Sequence, residues 1–154
     1  MTEFPLTLEA VNACKQFGLS VCGGAPNIIR GGSQYGNLSV KEIWKMKLLD
    51  VIVSDYHNPS LLNSIYNICQ EDGGLIDDKF IDTLKLVTEN PAKILGMLKG
   101  KIQKDYDADL ILVKNIVLDN VVYPEVVMSV VNGEIKYACN PLIFFAIQQT
   151  GKVL

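Results

Sequence analysis

The chain has 154 residues, 49% of them hydrophobic and 20% charged, a balance that excludes disorder and fits one domain or two small ones. A complete (β/α)8 barrel needs roughly 200 residues or more, so this chain is not expected to close one alone. A formal net charge of −3 gives no basis for binding nucleic acid or an anionic membrane, and no apolar run nears the roughly 20 residues of a membrane span.

Met1 to Pro5 has neither a basic stretch nor an apolar core, so no signal peptide is read there and a cytoplasmic location is expected. Leu6 to Phe17 suits a helix. Leu8, Val11 and Cys14 recur at helical spacing, with Ala10, Ala13 and Phe17 widening the face. Thr7 is placed to cap it, and Gly18 to end it in the left-handed conformation. Leu19 to Cys22 then reads as a short buried strand, followed by a glycine-rich loop over residues 23–37.

Ser39 and Glu42 have the spacing of a capping box for a second helix, Val40 to Leu49. Asp50 opens the strand Val51 to Ser54, whose consecutive β-branched residues predict burial on both faces, as in a parallel sheet. Two further helical patterns follow. One carries Leu61, Leu62, Ile65, Ile68 and Cys69 before Gly73-Gly74; the other carries Phe80, Ile81, Leu84 and Val87. Pro91 suits the first turn of a short helix ending near Gly96.

Beyond residue 98 the pattern changes to short strands: Leu110 to Val113, Ile116 to Val117, Val126 to Val131 and Glu134 to Tyr137. Asn132-Gly133 is a type I′ hairpin signal. The expected organisation is therefore an α/β segment over 1–97, an antiparallel β module over 98–137, and a tail over 138–154 with a short apolar helix from Pro141 to Gln149. Cys14, Cys22, Cys69 and Cys139 are too scattered for a zinc set and are expected to be reduced and mostly buried.

Several residues could carry chemistry. Asp55, at the end of a buried strand, reads either as a metal ligand and proton acceptor or as a carboxylate capping the turn toward Pro59. Residues 27–37 read either as a phosphate cradle or as a flexible loop. In the first case Gly31 and Gly32 would bring backbone N–H groups close, with Arg30 as a bidentate fork and Ser33 and Asn37 as neutral donors. His57 could reach the same site, or be an ordinary surface residue. Asp105, Asp107 and Asp109 lack the spacing and glycine of a calcium loop and read as turn carboxylates. Trp44 is expected in the core.

Five runs, Glu3-Phe4-Pro5, Gly24 to Ser33, Gly36-Asn37, Leu48-Leu49-Asp50 and Ser54-Asp55-Tyr56 before Pro59 to Leu62, resemble one branch of the amidohydrolase superfamily. Members of that branch act on ribosyl methylphosphonate triphosphate in the carbon–phosphorus lyase pathway. Thr88 to Gly96, Gly100-Lys101-Ile102 and Ala108-Asp109-Leu110 are similar to the more general superfamily ending, although Asp105 stands where glycine is usual. The resemblance implies the last strands of a TIM-like (β/α)8 metal-dependent hydrolase, with part of a small β-sandwich after them. It places Glu3 to Pro5 at the sixth strand, Leu19 to Gly24 at the seventh and Val51 to Asp55 at the eighth.

On that basis Asp55 is expected to be the catalytic, metal-binding aspartate. Asn27, Arg30, Gly31, Gly32, Ser33, Asn37 and His57 are expected to bind a phosphorylated small molecule. The family's histidine ligands and bridging residue fall outside the resemblance. The expected function is a fragment or shortened relative of a divalent-metal (zinc, manganese or iron) phosphoanhydride hydrolase, inactive alone, with the metal either retained or absent in this chain. The rival expectations are an oligomerising module without enzymatic activity and one half of a two-chain enzyme. The expected partners are a second copy or the missing half, with no nucleic acid and no membrane.

Overall fold

The computed structural model describes residues 1–32, 37–71 and 78–140. The chain divides into two compact units, the first Met1–Gly100 and the second from Lys101 onward. Residues 73 and 74, and the apolar helix expected within 141–149, lie outside the described residues.

In the first unit, strands β1 (Thr2–Glu3), β2 (Val21–Gly24) and β3 (Val51–Val53) form a parallel sheet in that order. Glu3 pairs with Cys22, and Cys22 with Val51. Helix α1 (Leu8–Gln16) crosses from β1 to β2; α2 (Ala25–Ile29) and α3 (Val40–Lys45) cross from β2 to β3. Helices α4 (Ser60–Glu71), α5 (Asp78–Lys85) and α6 (Glu89–Ile94) follow.

The local signals act largely as expected. The Ala10 N–H donates to Thr7 Oγ1 at 3.2 Å, capping α1, and Gly18 takes φ +67° at its end. The Leu19 N–H then reaches back to the Cys14 carbonyl at 2.8 Å and aims the chain into β2. Only Val11 and Cys14 of α1 are buried; Phe17, at the helix C-cap, is 80% exposed instead of widening the apolar face. Ser39 and Glu42 form the capping box in full.

Helix α3, however, stops at Lys45, short of the expected Leu49. Lys47 adopts φ +59°, and the Leu48 N–H donates to the Ile43 carbonyl at 3.0 Å, closing the helix without a glycine. The early stop frees Leu49 to enter the core ahead of β3.

That core joins Val11 and Cys14 of α1, Val21 of β2, Ala25 and Ile28 of α2, Ile43 of α3 and Ile65, Ile68 and Cys69 of α4. Trp44 packs against it half-buried, with Lys79 Nζ 5.0 Å from the ring centroid. Val21, Val51 and Ile52 are each at least 98% buried, worth about 1.5–3 kcal/mol apiece. Asp50 ties the strands at their start. Its Oδ2 accepts the Val21 N–H at 2.7 Å and Lys15 Nζ at 2.5 Å, while its carbonyl accepts Asn90 Nδ2 at 2.8 Å. On the outer side of β3 the Ile52 N–H donates to the Leu86 carbonyl at 2.9 Å, so that edge is covered by the chain itself.

The second unit is an antiparallel sheet of β4 (Leu110–Leu118), β5 (Val121–Val131) and β6 (Glu134–Ala138). Asn132 and Gly133 both have positive φ, at 52° and 77°, the geometry of a type I′ turn. The β4–β5 hairpin uses the same device at Asp119 and Asn120, φ 50° and 62°. The strands run longer than the short segments expected, through Lys114-Asn115 and across Pro124. Proline is tolerated because β6 reaches only Met128, so among the described residues the strand pairs on one side alone at Pro124. Asp109 accepts the Asn132 N–H through Oδ1 at 2.8 Å, a structural use of that aspartate. No described helix is long and apolar enough to cross a membrane.

A Cβ built on Gly23 lies 2.5 Å from Val40 Cγ1 and 3.1 Å from Leu49 Cδ1; one on Gly100, at φ +79°, lies 2.4 Å from the Thr88 carbonyl oxygen. Gly23→Ala should destabilise the chain by about 1–3 kcal/mol, the usual range for overpacking. Gly100→Ala should cost at least as much, because backbone cannot give way as a side chain can. Urea denaturation followed by circular dichroism checks both.

Candidate functional site

The three parallel strands end side by side, and a cleft of about 280 Å³ opens over their carboxyl ends. Phe4 follows β1, Gly24 closes β2 and Asp55 follows β3; all three line it. Loops at strand ends suit a ligand site because they can vary while the sheet beneath stays fixed.

Phe4 and Asp55 each take φ +53°, a left-handed conformation uncommon outside glycine. These turns aim both side chains at the same spot. A Cβ at Gly24 would lie 3.1 Å from Phe4 Cε1 and 3.6 Å from Asp55 Oδ2. The bare Gly24 backbone therefore gives the Phe4 ring room at the end of β2, with the Asp55 carboxylate beside it. The Asp55 turn is closed by the His57 N–H donating to the Ser54 carbonyl at 3.1 Å.

Arg30 is the C-cap residue of α2. Its Nε donates to the Pro26 carbonyl at 3.3 Å, and its guanidinium carbon lies 5.8 Å from the Tyr56 ring centroid. Asn27, Asn37 and Leu38 complete this side of the cleft, and Pro5 and Leu6 extend its apolar wall. Asn27 Oδ1 is committed to the Val40 N–H at 3.0 Å, holding α2 to the start of α3. Cys22 lies at the bottom, fully buried; burial, with a smaller push from the Glu3 carboxylate, raises its thiol to about 11. It therefore stays protonated at neutral pH.

Arg30, Asn27, Asn37 and Asp55 thus line one cleft. Gly31, Gly32 and His57 do not line it, and Ser33 lies outside the described residues. The glycine-rich segment is also built differently from the loop expected. Gly23 and Gly24 belong to β2, and residues 25–29 are helix. The N–H groups of Gly31 and Gly32 donate to the carbonyls of Ile28 and Asn27, both at 3.1 Å. They finish a helix carboxyl end, where the dipole disfavours an anion, and do not point at a ligand. Phe4 and Leu6 were missed as site residues; the signal available was their position just after a strand and beside Pro5.

Residues 39–137 match the amidohydrolase family. Over 113 residues the chain is 39% identical to the alpha-D-ribose 1-methylphosphonate 5-triphosphate diphosphatase of Escherichia coli (strain K12), an alignment covering 73% of this chain and 29% of that protein. The chain thus spans less than a third of the curated relative it matches. Among solved structures, it resembles a beta-aspartyl dipeptidase from Fervidobacterium islandicum AW-1 with a TM-score of 0.60 at 20% identity. That likeness covers 86% of this chain and 37% of the other, and it concerns the fold.

Two outcomes follow from the cleft's construction. Asn27→Ala removes the Val40 cap and should lower stability by about 0.5–2 kcal/mol in urea denaturation. Iodoacetamide at pH 8 should modify exposed Cys139 and spare Cys14, Cys22 and Cys69 in the folded chain, since all three are buried out of the reagent's reach. Peptide mass spectrometry reads the pattern directly.

Proposed function

The chain belongs to the amidohydrolase family, and we propose that it forms the phosphate-holding and proton-accepting part of a phosphoanhydride hydrolase in phosphonate metabolism. The observation that carries this reading is the meeting of Arg30, Asn37 and Asp55 on one cleft at the carboxyl ends of parallel strands. In this reading β1, β2 and β3 are three consecutive strands of a (β/α)8 barrel wall, and the second unit is part of a small β-sandwich.

The roles follow from the groups present. Arg30 offers a planar fork matched to phosphate oxygens, and Asn37, with Ser33, adds neutral donors. Asp55 stands at the same mouth and accepts the proton of the attacking water as the phosphoanhydride breaks and diphosphate leaves. The apolar wall of Phe4 and Leu6 limits water on the other side. Gly31 and Gly32 shape the end of α2 and supply no donors, and His57 has no assigned role.

Amidohydrolases generally use divalent metals. Among the described residues no three His, Cys, Asp or Glu side chains gather, and Asp55 is the one carboxylate lining the cleft. A catalytic divalent ion takes about three protein ligands, so the described residues do not fit a complete metal centre. In this reading the described residues form a binding unit, and turnover requires metal ligands beyond them.

Plasma mass spectrometry on protein purified without chelator should find metal well below one ion per chain. With manganese added, the chain should release no diphosphate from a nucleoside triphosphate above background. Stoichiometric metal, or turnover abolished by Asp55→Ala, would overturn the incomplete-centre reading.

A second reading, association with a second copy, is favoured by one observation. The second unit leaves Ile111, Leu112, Val117, Leu118, Tyr123 and Tyr137 exposed on a sheet whose one buried hydrophobic residue among those described is Val130. Light scattering at micromolar concentration should then give at least a dimer mass; a clean monomer argues against it.

A further inference from the structure

We infer that Tyr56 is a positioning residue for Arg30, holding its guanidinium at the mouth of the cleft as a preset anchor for a phosphate group. The inference rests on the reading of this cleft as a phosphate site.

Arg30 is the one cation among the described residues that line the cleft. A long arginine side chain samples many rotamers, and freezing them on binding weakens any anchor that is not already held. Arg30 is held twice, from two elements. Its Nε bond to the Pro26 carbonyl at 3.3 Å fixes the stem from within α2. The Tyr56 ring, 5.8 Å from the guanidinium carbon, approaches from the turn after β3. Tyr56 is 69% exposed, so core packing does not explain its position.

The turn itself creates the arrangement. With Asp55 at φ +53°, consecutive side chains go to different partners: the Asp55 carboxylate toward Gly24, the Tyr56 ring to Arg30. No ion pair joins Arg30 to Asp55 among the described residues. This matters chemically. A carboxylate partner would neutralise the guanidinium, whereas an aromatic face holds it through the ring quadrupole and leaves its charge for a ligand. Nε is committed, and the two terminal nitrogens have no hydrogen-bond partner among the described residues. That pair is the part of the fork that takes two phosphate oxygens.

Isothermal titration calorimetry of the whole chain with inorganic tripolyphosphate tests this. Arg30→Ala should weaken binding tenfold or more. Tyr56→Leu should weaken it about threefold to fivefold, while Tyr56→Phe and Tyr56→Trp, which keep an aromatic face, stay within twofold of the unaltered chain. In the Arg30→Ala background, Tyr56→Leu should have no further effect, because the residue it positions is gone.

A merely structural tyrosine would cost the same in both backgrounds, and that result overturns the inference. So does Tyr56→Leu binding as well as the unaltered chain when Arg30→Ala does not; the phosphate reading then survives alone. If the unaltered chain binds no tripolyphosphate, or binds it equally after Arg30→Ala, both fall together.

Discussion

The first unit depends on a stretch of backbone that can carry no side chain. At Gly23 an added methyl would sit 2.5 Å from Val40, the first residue of α3, and at Gly24 it would crowd the Phe4 ring. Removing both side chains lets α3 pack directly against the end of β2 and clears the space above the strand ends. The core and the cleft are thus set by the same two residues. Val40 is in turn fixed by Asn27 Oδ1, so β2, α2 and α3 meet through contacts a few residues apart in sequence.

The cleft built on this point is chemically mixed. Phe4 and Leu6 give its lining an apolar part, while Arg30, Asn37 and Asp55 supply the polar part. A cation and a carboxylate share the mouth without an ion pair between them among the described residues, so neither is spent on the other. This is an arrangement for holding and polarising a ligand. Among the described residues it lacks the further donors of a metal centre. The family relationship and this shortage of ligands are compatible, because the chain covers under a third of the relative it matches.

The second unit is governed by hairpin geometry. Two pairs of consecutive positive-φ residues, Asp119-Asn120 and Asn132-Gly133, supply turns whose twist matches that of the strands they join. Asparagine and aspartate can do this because their short polar side chains bond locally in the left-handed region. The sheet buries little of itself, with Val130 its one buried hydrophobic residue among those described. Its strand pairing is therefore specified locally, and its apolar faces call for cover.

The sequence by itself determined what depends on near neighbours along the chain. The Thr7 cap, the Ser39–Glu42 capping box, the Gly18 stop, the β-branched run at Val51 and the Asn132-Gly133 turn each act through bonds a few residues long. The runs that resemble the amidohydrolase superfamily, Gly24 to Ser33 and Ser54 to Tyr56, were legible for the same reason, being contiguous. Only the tertiary structure decided what required distant segments to meet. It showed that Gly23 is glycine because Val40 lies against it, and that Lys47 ends α3 so that Leu49 can reach the core. It also turned the supposed cradle of Gly31 and Gly32 into the end of a helix, because their N–H groups donate to the carbonyls of Ile28 and Asn27. Above all it brought Arg30 to Tyr56 and Asp55 to Gly24. Such contacts depend on the path of the chain between strands, which no local spacing of residues encodes.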